Sequence, residues 1–348
     1  MATYAISDLH GALDEFKALL KKIEFRYDGS DSLYLLGDYG DWGEKSLETI
    51  RFVRELDRDY PFVHVLMGNH ELMFLTTILS GYKEGNEDIN AENWLFTNHG
   101  LRTWKDFLAL EEEEKKDLAL WLHGLRLSET VKVGEKTYML AHAYPYFYDR
   151  IESEEEGLQR RVDALWRRLM LREDPFAEYD GEEHYDMFVC GHTITDYYFG
   201  RLRLERNWPY RKPGEYVRNR IFRGEKFIDI DCGAKCMDMI ADSHEFIQMA
   251  ALRAQLACLR LDDEKGFYVH RLHVRLPEVS FPMRVPEVSL PNLPNIQSIP
   301  SRLNLKTVPY LEELYRLANY PGHQDMSVEE LQNFFIEAGV QLFKSGES

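Results

Sequence analysis

The chain has 348 residues, of which 44% are apolar and 29% are charged, as is typical of a globular protein with one large domain or two small ones. Its net charge of −18 argues against broad binding to nucleic acid polymers or anionic membranes. No stretch approaches the ~18 consecutive apolar residues of a membrane span. The opening MATYAISDLHG lacks the features of a signal peptide, so we expect a cytoplasmic location.

The first 75 residues alternate between short apolar runs and helical patterns. Strand-like runs lie at Thr3–Ser7, Ser32–Leu36 and Phe62–Met67. The segments between them repeat apolar residues at spacings of three and four, which indicates amphipathic helices. This β-α-β-α-β order favours an α/β fold with a mostly parallel sheet and helices on its faces.

Polar residues follow each of these apolar runs. Asp8 and His10 come after the first, Asp38 after the second, and Asn69 and His70 after the third. Sites in open α/β sheets form at the carboxyl ends of the strands. The sequence therefore predicts that these side chains share one site.

Residues 81–127 are predicted to form a mostly helical insert. Strand-like runs return at Thr130–Val133, Thr137–Leu140, Met187–Cys190, Lys226–Ile230 and Cys258–Leu261. The second of these leads into His142 and the third into His192, again at strand ends. A charged helix is predicted at Leu158–Leu171.

The sequence changes character after residue 270, so we predict a domain over 1–270 and a C-terminal extension over 271–348. Arg275–Met283 (RLPEVSFPM) and Arg284–Asn292 (RVPEVSLPN) form a proline-rich near-repeat. Prolines at this density exclude helix and central strand, which indicates an extended arm. A capping box at Ser327 predicts a terminal helix. The extension either closes over the main domain or binds a partner.

The polar residues at strand ends form a donor set without thiolates: Asp8, His10, Asp38, Asn69, His70, His142 and His192. Imidazole and carboxylate ligands suit first-row cations such as Mn²⁺, Fe or Zn²⁺. A carboxylate has two oxygens and can bridge two ions. Two ions about 3.5–4 Å apart would form a clamp for in-line displacement at phosphorus.

Five motifs occur in order, each after a strand-like run: DLHG, GDYGDWG, GNHE, AHA and GHT. Together they resemble the motifs of the calcineurin-like metallophosphoesterases, over about residues 1–270. The resemblance is closest to the phosphoprotein-phosphatase branch, which also contains bacterial symmetrical dinucleoside-tetraphosphatases. It implies a four-layer α/β/β/α sandwich and a hydrolase of phosphate esters that uses two divalent ions, with manganese expected first and iron or zinc as alternatives.

The resemblance also implies a role for each matching residue. Asp8 and His10 would hold the first metal, Asp38 would bridge, and the second metal would be completed by Asn69, His142 and His192. A hydroxide bridging the metals would attack phosphorus. His70 would act as the general acid that protonates the leaving oxygen, and Asp41 would orient His70. Histidine paired with a carboxylate stays protonated more readily, which suits that role.

One position departs from the family pattern. Trp42 stands where the family carries an arginine that binds phosphate. Arg168 is the first candidate to replace it and Arg167 the second, although a plain basic helix face is equally consistent with both. Trp42 could stack on a nucleobase or pack beneath its loop. Tyr144 opens an aromatic cluster that could line the substrate pocket or fill the core.

Other polar residues are expected to have structural roles. Glu71 is expected to be a hydrogen-bonding residue rather than a ligand. The remaining histidines are expected to be ordinary core residues: His64, His99, His123, His184, His244, His270, His273 and His323.

The sequence favours hydrolysis of phosphate monoesters of the serine/threonine protein phosphatase type. A hydrolase of dinucleoside polyphosphates or other nucleotides is the first alternative. The second is a catalytically weakened metal-binding scaffold that recruits a partner through the C-terminal arm. The missing arginine motivates the scaffold, whereas the retained His70 and Asp41 argue against it. The expected partner is a phosphorylated substrate, either phosphoprotein or nucleotide, and the oligomeric state stays open.

Overall fold

The computed structural model describes residues 1–83, 88–148, 154–205, 218–241 and 250–271. The predicted C-terminal arm and terminal helix lie outside these residues. In the described part of the chain, no helix is both long and apolar enough to cross a membrane.

Within the described residues, the strands form two five-stranded sheets. The strands are β1 Ala2–Ile6, β2 Asp31–Leu35, β3 Val63–Val65, β4 Ser128–Val133, β5 Lys136–Ala141, β6 Met187–Cys190, β7 Phe222–Arg223, β8 Phe227–Asp229, β9 Leu256–Arg260 and β10 Lys265–Val269. The orders are β10-β9-β1-β2-β3 and β4-β5-β6-β8-β7. Each sheet has a parallel core, β1-β2-β3 or β5-β6-β8, with antiparallel neighbours. The parallel arrangement predicted for the first three strands is confirmed in β1-β2-β3, and the antiparallel neighbours make each sheet mixed.

The helices are α1 Leu13–Lys22, α2 Ser46–Asp59, α3 Asn69–Leu79, α4 Ile89–Glu92, α5 Leu101–Leu108, α6 Glu112–Gly124, α7 Glu154–Trp166 and α8 Asp196–Glu205, with a π-helical turn at Asn93–Thr97 and a 3₁₀ segment at Ala234–Ala241. In α1, acidic residues occupy the first turn and lysines the last, which complements the helix dipole. Its apolar residues recur every three or four positions and are buried on one face.

Side-chain alternation along the strands builds the layers. In β1, Tyr4 and Ile6 join a core beneath the first helical layer, whereas Ala5 faces the core between the two sheets. In β5, Leu140 joins that same middle core, whereas Met139 packs into a third core on the outer side of the second sheet. Three cores separate four layers, so the four-layer α/β/β/α sandwich is confirmed.

The sequence missed two strands, β7 and β10, and two helices, α3 and α8. Strand β7 has only two residues, and β10 opens with Lys265 and Gly266 and leaves most of its residues partly exposed, so neither gives a clear alternating pattern. Helix α8 has little separation of apolar and polar faces. The segment after β3 carries α4, α5 and α6, as its helical pattern indicated.

Candidate metal centre

The strand ends of both sheets meet at one place. β1 leads to Asp8 and His10, β2 leads to Asp38, and the loop after β3 leads into α3, whose first residues are Asn69 and His70. From the second sheet, β5 leads to His142 and β6 leads to His192. All of these side chains are buried at or below 7% exposure, and the contacts among them show that the structure brings them together.

Asp38 lies in the middle of this cluster. Its Oδ2 is 3.5 Å from His10 Nε2, and its Oδ1 is 3.4 Å from His142 Nε2. His10, Asp38 and His70 offer ligand atoms within 4.8 Å of one another, and so do Asp38, His142 and His192. The two groups share only Asp38, which is the arrangement that a bridging carboxylate requires.

The second group is the more compact. His142 Nε2 lies 2.9 Å from Asn69 Oδ1 and 3.2 Å from His192 Nδ1, and His192 Nδ1 lies 3.1 Å from Asn69 Oδ1. These three atoms face a common point and do not form separate hydrogen-bonded pairs. In the first group, His10 Nε2 lies 3.7 Å from Asp8 Oδ1.

The donor set fits divalent metal ions. Within the described structure, Asp8 Oδ1 and His10 Nε2 are buried and have no hydrogen-bond partner. The other ring nitrogens of His10 and His142 lie 3.1 Å from the Gly40 carbonyl and 2.9 Å from the Leu36 carbonyl. If each donates its Nδ1–H there, Nε2 is left with a lone pair facing the cluster, as metal-binding histidines require.

Burial and mutual charge set the protonation of the cluster. Burial raises the pKa of Asp38, but the charges of His142 and His70 hold it well below its usual range. Burial lowers the pKa of His142, yet the charge of Asp38 raises it to about 9. Burial and the charge of His142 lower the pKa of His192 well below its usual range. A metal ligand must be a neutral imidazole, so ion binding at His142 would release a proton.

His70 is held by a buried carboxylate. Its Nδ1 lies 2.6 Å from Asp41 Oδ2, and its Nε2 lies 3.9 Å from Asp38 Oδ2. Asp41 also accepts hydrogen bonds from Trp94 Nε1 and Thr103 Oγ1, each at 2.6 Å. The sequence singled out neither Trp94 nor Thr103, because their distance along the chain gives no sign of a contact with Asp41.

Glu71 supports the loop instead of entering the cluster. Its carboxylate accepts hydrogen bonds from the backbone N–H groups of Asp38, Tyr39 and Gly68 at 2.7, 2.8 and 3.0 Å. The predicted structural role of Glu71 is therefore confirmed. A Cβ on Gly68 would lie 2.3 Å from Asp38 Oδ1, so only glycine lets the two loops approach this closely.

Several site residues have left-handed backbone conformations. The φ angles of Asp8, His10, Asp38, Asp41 and His192 are 55°, 42°, 59°, 65° and 66°. Such angles are uncommon outside glycine, although aspartate and histidine tolerate them better than most residues. The loops therefore hold these side chains in place at a conformational cost.

Trp42 lies beside the cluster, also with a positive φ, of 61°. Its ring stacks on His99, with centroids 3.7 Å apart. Both residues line a groove of about 520 Å³ together with Leu95, Phe96 and Lys105. Phe96 is 62% exposed there. Trp42 therefore forms part of an aromatic wall next to the cluster.

The other histidines were expected to lie in the core, and this expectation is wrong for those that the structure describes. His64 and His123 are half-buried, and His99, His184 and His270 are exposed. The imidazole ring is polar enough to be stable at a surface, so an apolar sequence neighbour does not ensure burial. His244, His273 and His323 lie outside the described residues.

The two candidate arginines have different surroundings. Arg168 Nη1 donates to the His192 carbonyl at 3.2 Å and to Thr193 Oγ1 at 3.1 Å, so its guanidinium lies against the cluster. Arg167 Nη2 donates to Glu173 at 2.7 Å, and its guanidinium stacks 3.9 Å from the Tyr144 ring centroid. Tyr144 is half-buried and packs against the third core. Tyr144 and Arg167 thus contact each other, whereas only Arg168 contacts a residue of the cluster.

The four-layer sandwich with a buried aspartate–histidine cluster at its strand ends defines a metallophosphoesterase-type protein. The family model for calcineurin-like phosphoesterases matches residues 1–205. The chain belongs to the calcineurin-like phosphoesterase family.

Two curated relatives are symmetrical bis(5'-nucleosyl)-tetraphosphatases. The one from Vibrio parahaemolyticus is 36% identical over 251 residues, covering 67% of this chain and 91% of the relative. The one from Histophilus somni is 30% identical over 178 residues, covering 46% of this chain. The chain spans only 63% of the length of that relative.

Among solved structures, a protein serine/threonine phosphatase from Saccharomyces cerevisiae with similarity to human phosphatase PP5 aligns at a TM-score of 0.44 and 12% identity. That alignment covers 80% of this chain and 82% of the other. A metallophosphoesterase from Sphaerobacter thermophilus aligns at a TM-score of 0.39 and 15% identity, covering 79% of this chain and 89% of the other.

Proposed function

We propose that the chain is a dimetal-dependent phosphoesterase. The observation that carries this proposal is the position of Asp38, whose two oxygens face His10 on one side and His142 on the other. Asp8 and His10 would complete the first metal site with Asp38, and the second would be completed by Asn69, His142 and His192. Two divalent ions, manganese first and iron or zinc as alternatives, would supply Lewis acidity at phosphorus and make water nucleophilic near neutral pH.

His70 is proposed as the proton donor to the leaving oxygen. Burial lowers the pKa of His70, but the charges of Asp38 and Asp41 and the hydrogen bond to Asp41 raise it above its ordinary value. Nδ1–H donation to Asp41 would fix the ring and direct Nε2 towards the cluster. A proton donor speeds release of an alkoxide, which is otherwise a poor leaving group.

Arg168 is proposed as one phosphate-binding side chain because it already contacts the His192 backbone. Arg167 becomes the weaker candidate, since Glu173 and Tyr144 occupy its guanidinium. Tyr144 would then shape the pocket only indirectly, by holding Arg167.

For the substrate, we place dinucleoside polyphosphates first, because the Vibrio relative carries that activity in its name and aligns over most of its length. The aromatic wall of Trp42, His99 and Phe96 supports this choice, since a nucleobase can stack on such side chains. Phosphate monoesters of the phosphoprotein type, which the sequence favoured, are the second candidate, because His70 can protonate any leaving oxygen beside the cluster.

A substrate panel tests this function. The Mn²⁺-loaded protein is assayed with diadenosine tetraphosphate, a phosphoserine peptide and p-nitrophenyl phosphate. We expect turnover of all three, with the highest kcat/KM for the dinucleotide. Preference for the peptide would reverse the order of the two candidates. No turnover by protein that holds two metals would refute the enzyme and favour the metal-binding scaffold.

The role of His70 is tested by His70→Asn. We expect kcat to fall by about 10²- to 10⁴-fold, with a larger loss for substrates with poor leaving groups, because general acid catalysis matters most there. Metal content should stay at the wild-type value. Loss of metal would instead make His70 a ligand. His64→Asn is the matched control, since His64 stacks at 4.5 Å on Tyr34, its paired residue across the β2–β3 ladder.

A further inference from the structure

Lys235 lies close to the candidate metal centre. It is the second residue of the Ala234–Ala241 segment, which follows β8. β8 runs parallel to β6, so its carboxyl end opens at the same sheet edge as the loop of His192. The Lys235 ammonium lies 5.8 Å from the Trp42 ring centroid, across the same loop that carries Asp41.

Lys235 also differs from Arg167 in its ion pairs. Among the described residues, no acidic side chain forms an ion pair with its ammonium, whereas Arg167 pairs with Glu173 at 2.7 Å. Lys235 is half-buried, so part of its hydration is already lost. A partly desolvated cation without an ion-pair partner gains strongly from an anionic ligand.

An anionic ligand would gain from a further cation here. The chain carries a net charge of −18, and Trp42, the aromatic side chain beside Lys235, has no charge to offer. Apart from the two proposed metal ions, Arg168 is the only side-chain cation described above near Asp8, Asp38 and Asp41, so a second cation would strengthen phosphate binding.

We propose that Lys235 binds a non-bridging oxygen of the substrate phosphate, as a second side-chain cation in addition to Arg168. This proposal rests on the proposed phosphoesterase function. Lysine carries three N–H donors on a flexible side chain, so its ammonium can bind a phosphate oxygen from several directions.

Direct phosphate binding tests the proposal separately from turnover. Titration calorimetry measures inorganic phosphate binding to the Mn²⁺-loaded wild type, Lys235→Met, Lys235→Arg and Lys265→Met. We expect Lys235→Met to weaken binding by about 10- to 100-fold, as for a lost charge-assisted hydrogen bond, and Lys235→Arg to stay within a few-fold of wild type. Lys265→Met is the matched control: its ammonium lies 5.1 Å from the Phe267 ring centroid on the edge strand β10.

Metal content and thermal unfolding are measured for every variant, and Lys235→Gln replaces Lys235→Met if the latter fails to fold. An unchanged phosphate affinity in the folded, metal-loaded Lys235 variant would overturn the proposal. Loss of metal from that variant would also overturn it, and so would a wild type that binds no phosphate. A wild type that binds phosphate through Lys235 but hydrolyses no ester would refute the proposed function and leave the Lys235 site intact.

Discussion

Asp41 shows how much of the site depends on a residue that need not touch substrate. Its two oxygens accept hydrogen bonds from His70, Trp94 and Thr103, and the side chain is 2% exposed. The indole and hydroxyl fix the carboxylate, and the carboxylate fixes the imidazole. Asp41 is therefore a positioning residue whose effect is exerted through His70.

Asp41→Asn should lower kcat on the order of 10²-fold while leaving metal content unchanged. An amide carries no negative charge, so it no longer favours protonated His70, and it can turn an N–H towards the ring. The measurement is kcat with p-nitrophenyl phosphate at saturating Mn²⁺, together with the metal content. Asp57→Asn is the matched control, because Asp57 also accepts a tryptophan N–H, from Trp121 at 2.8 Å. Equal losses in both variants would contradict the positioning role.

At the scale of elements, the parallel pair β1 and β2 is tied together at its amino-terminal end by Asp31. The carboxylate accepts hydrogen bonds from the backbone N–H groups of Ala2 at 3.0 Å and Arg26 at 3.1 Å, and from the Arg26 guanidinium. Both strands lead to the candidate ligands at their other ends. A buried carboxylate thus sets the start of the two strands that deliver Asp8 and Asp38.

Asp31→Asn should lower the free energy of unfolding by about 1–3 kcal/mol at pH 7. Burial raises the pKa of Asp31, but the hydrogen bonds from Arg26 and Ala2 outweigh it and hold the pKa below its ordinary value of 3.8. The ionised carboxylate therefore stabilises the fold above that value, and this contribution is lost as pH falls through the folded-state pKa.

Urea unfolding of wild type and Asp31→Asn at about pH 6 and about pH 3 measures this effect, and the gap should narrow at the lower pH. A constant gap would show that ionisation of Asp31 contributes nothing. Asp28→Asn is the control, since the exposed Asp28 accepts a backbone N–H from Ser30 at 2.9 Å.

The loops after β2 and β3 pass so closely that a single methyl group should separate them. Gly68→Ala places a Cβ 2.4 Å from the Asp38 backbone nitrogen, so Asp38 must move and Mn²⁺ content should fall. Gly200→Ala in α8 is the matched control, because its Cβ would meet nothing within 4 Å and alanine favours helix by about 1 kcal/mol. Metal content after dialysis distinguishes the two; full metal binding by Gly68→Ala would contradict the close approach.

At the scale of the whole molecule, the candidate ligands come from both sheets: Asp8, His10, Asp38 and Asn69 follow strands of the first, and His142 and His192 follow strands of the second. Ions bound among them would link the two halves of the sandwich. Any ligand that binds only the folded state stabilises it, by about 2.7 kcal/mol at one hundred times its Kd.

Adding Mn²⁺ to chelator-treated protein should therefore raise Tm in a concentration-dependent way. Asp38→Asn should lose most of this rise, because the shared ligand is gone, even if its metal-free form is as stable as wild type. Differential scanning calorimetry across a Mn²⁺ series checks both. An equal rise in the two proteins would show that Mn²⁺ binds elsewhere.

Much of the site's location could be predicted from the sequence, since strand-like runs ending in Asp8, Asp38 or His142 place these residues at one edge of the fold. The two-sheet arrangement could not be derived from periodicity, because alternation says which side of a strand is apolar but not which sheet the strand joins. Lys235 was missed for a similar reason: a lone lysine after a strand has no local signal, and only the tertiary fold places it beside Trp42. The cytoplasmic location, the domain division and the arm over 271–348 stay predictions.

The left-handed residues of the centre carry a consequence for the evolution of such chains. Each non-glycine residue held at these φ angles costs on the order of 1–3 kcal/mol, which selection maintains only while the side chain is needed. A descendant that no longer needs catalysis would gain stability if glycine replaced Asp8, Asp38 or His192. Substitutions at these positions would therefore identify inactive descendants. This chain keeps all three in the costly conformation, as a working centre would require.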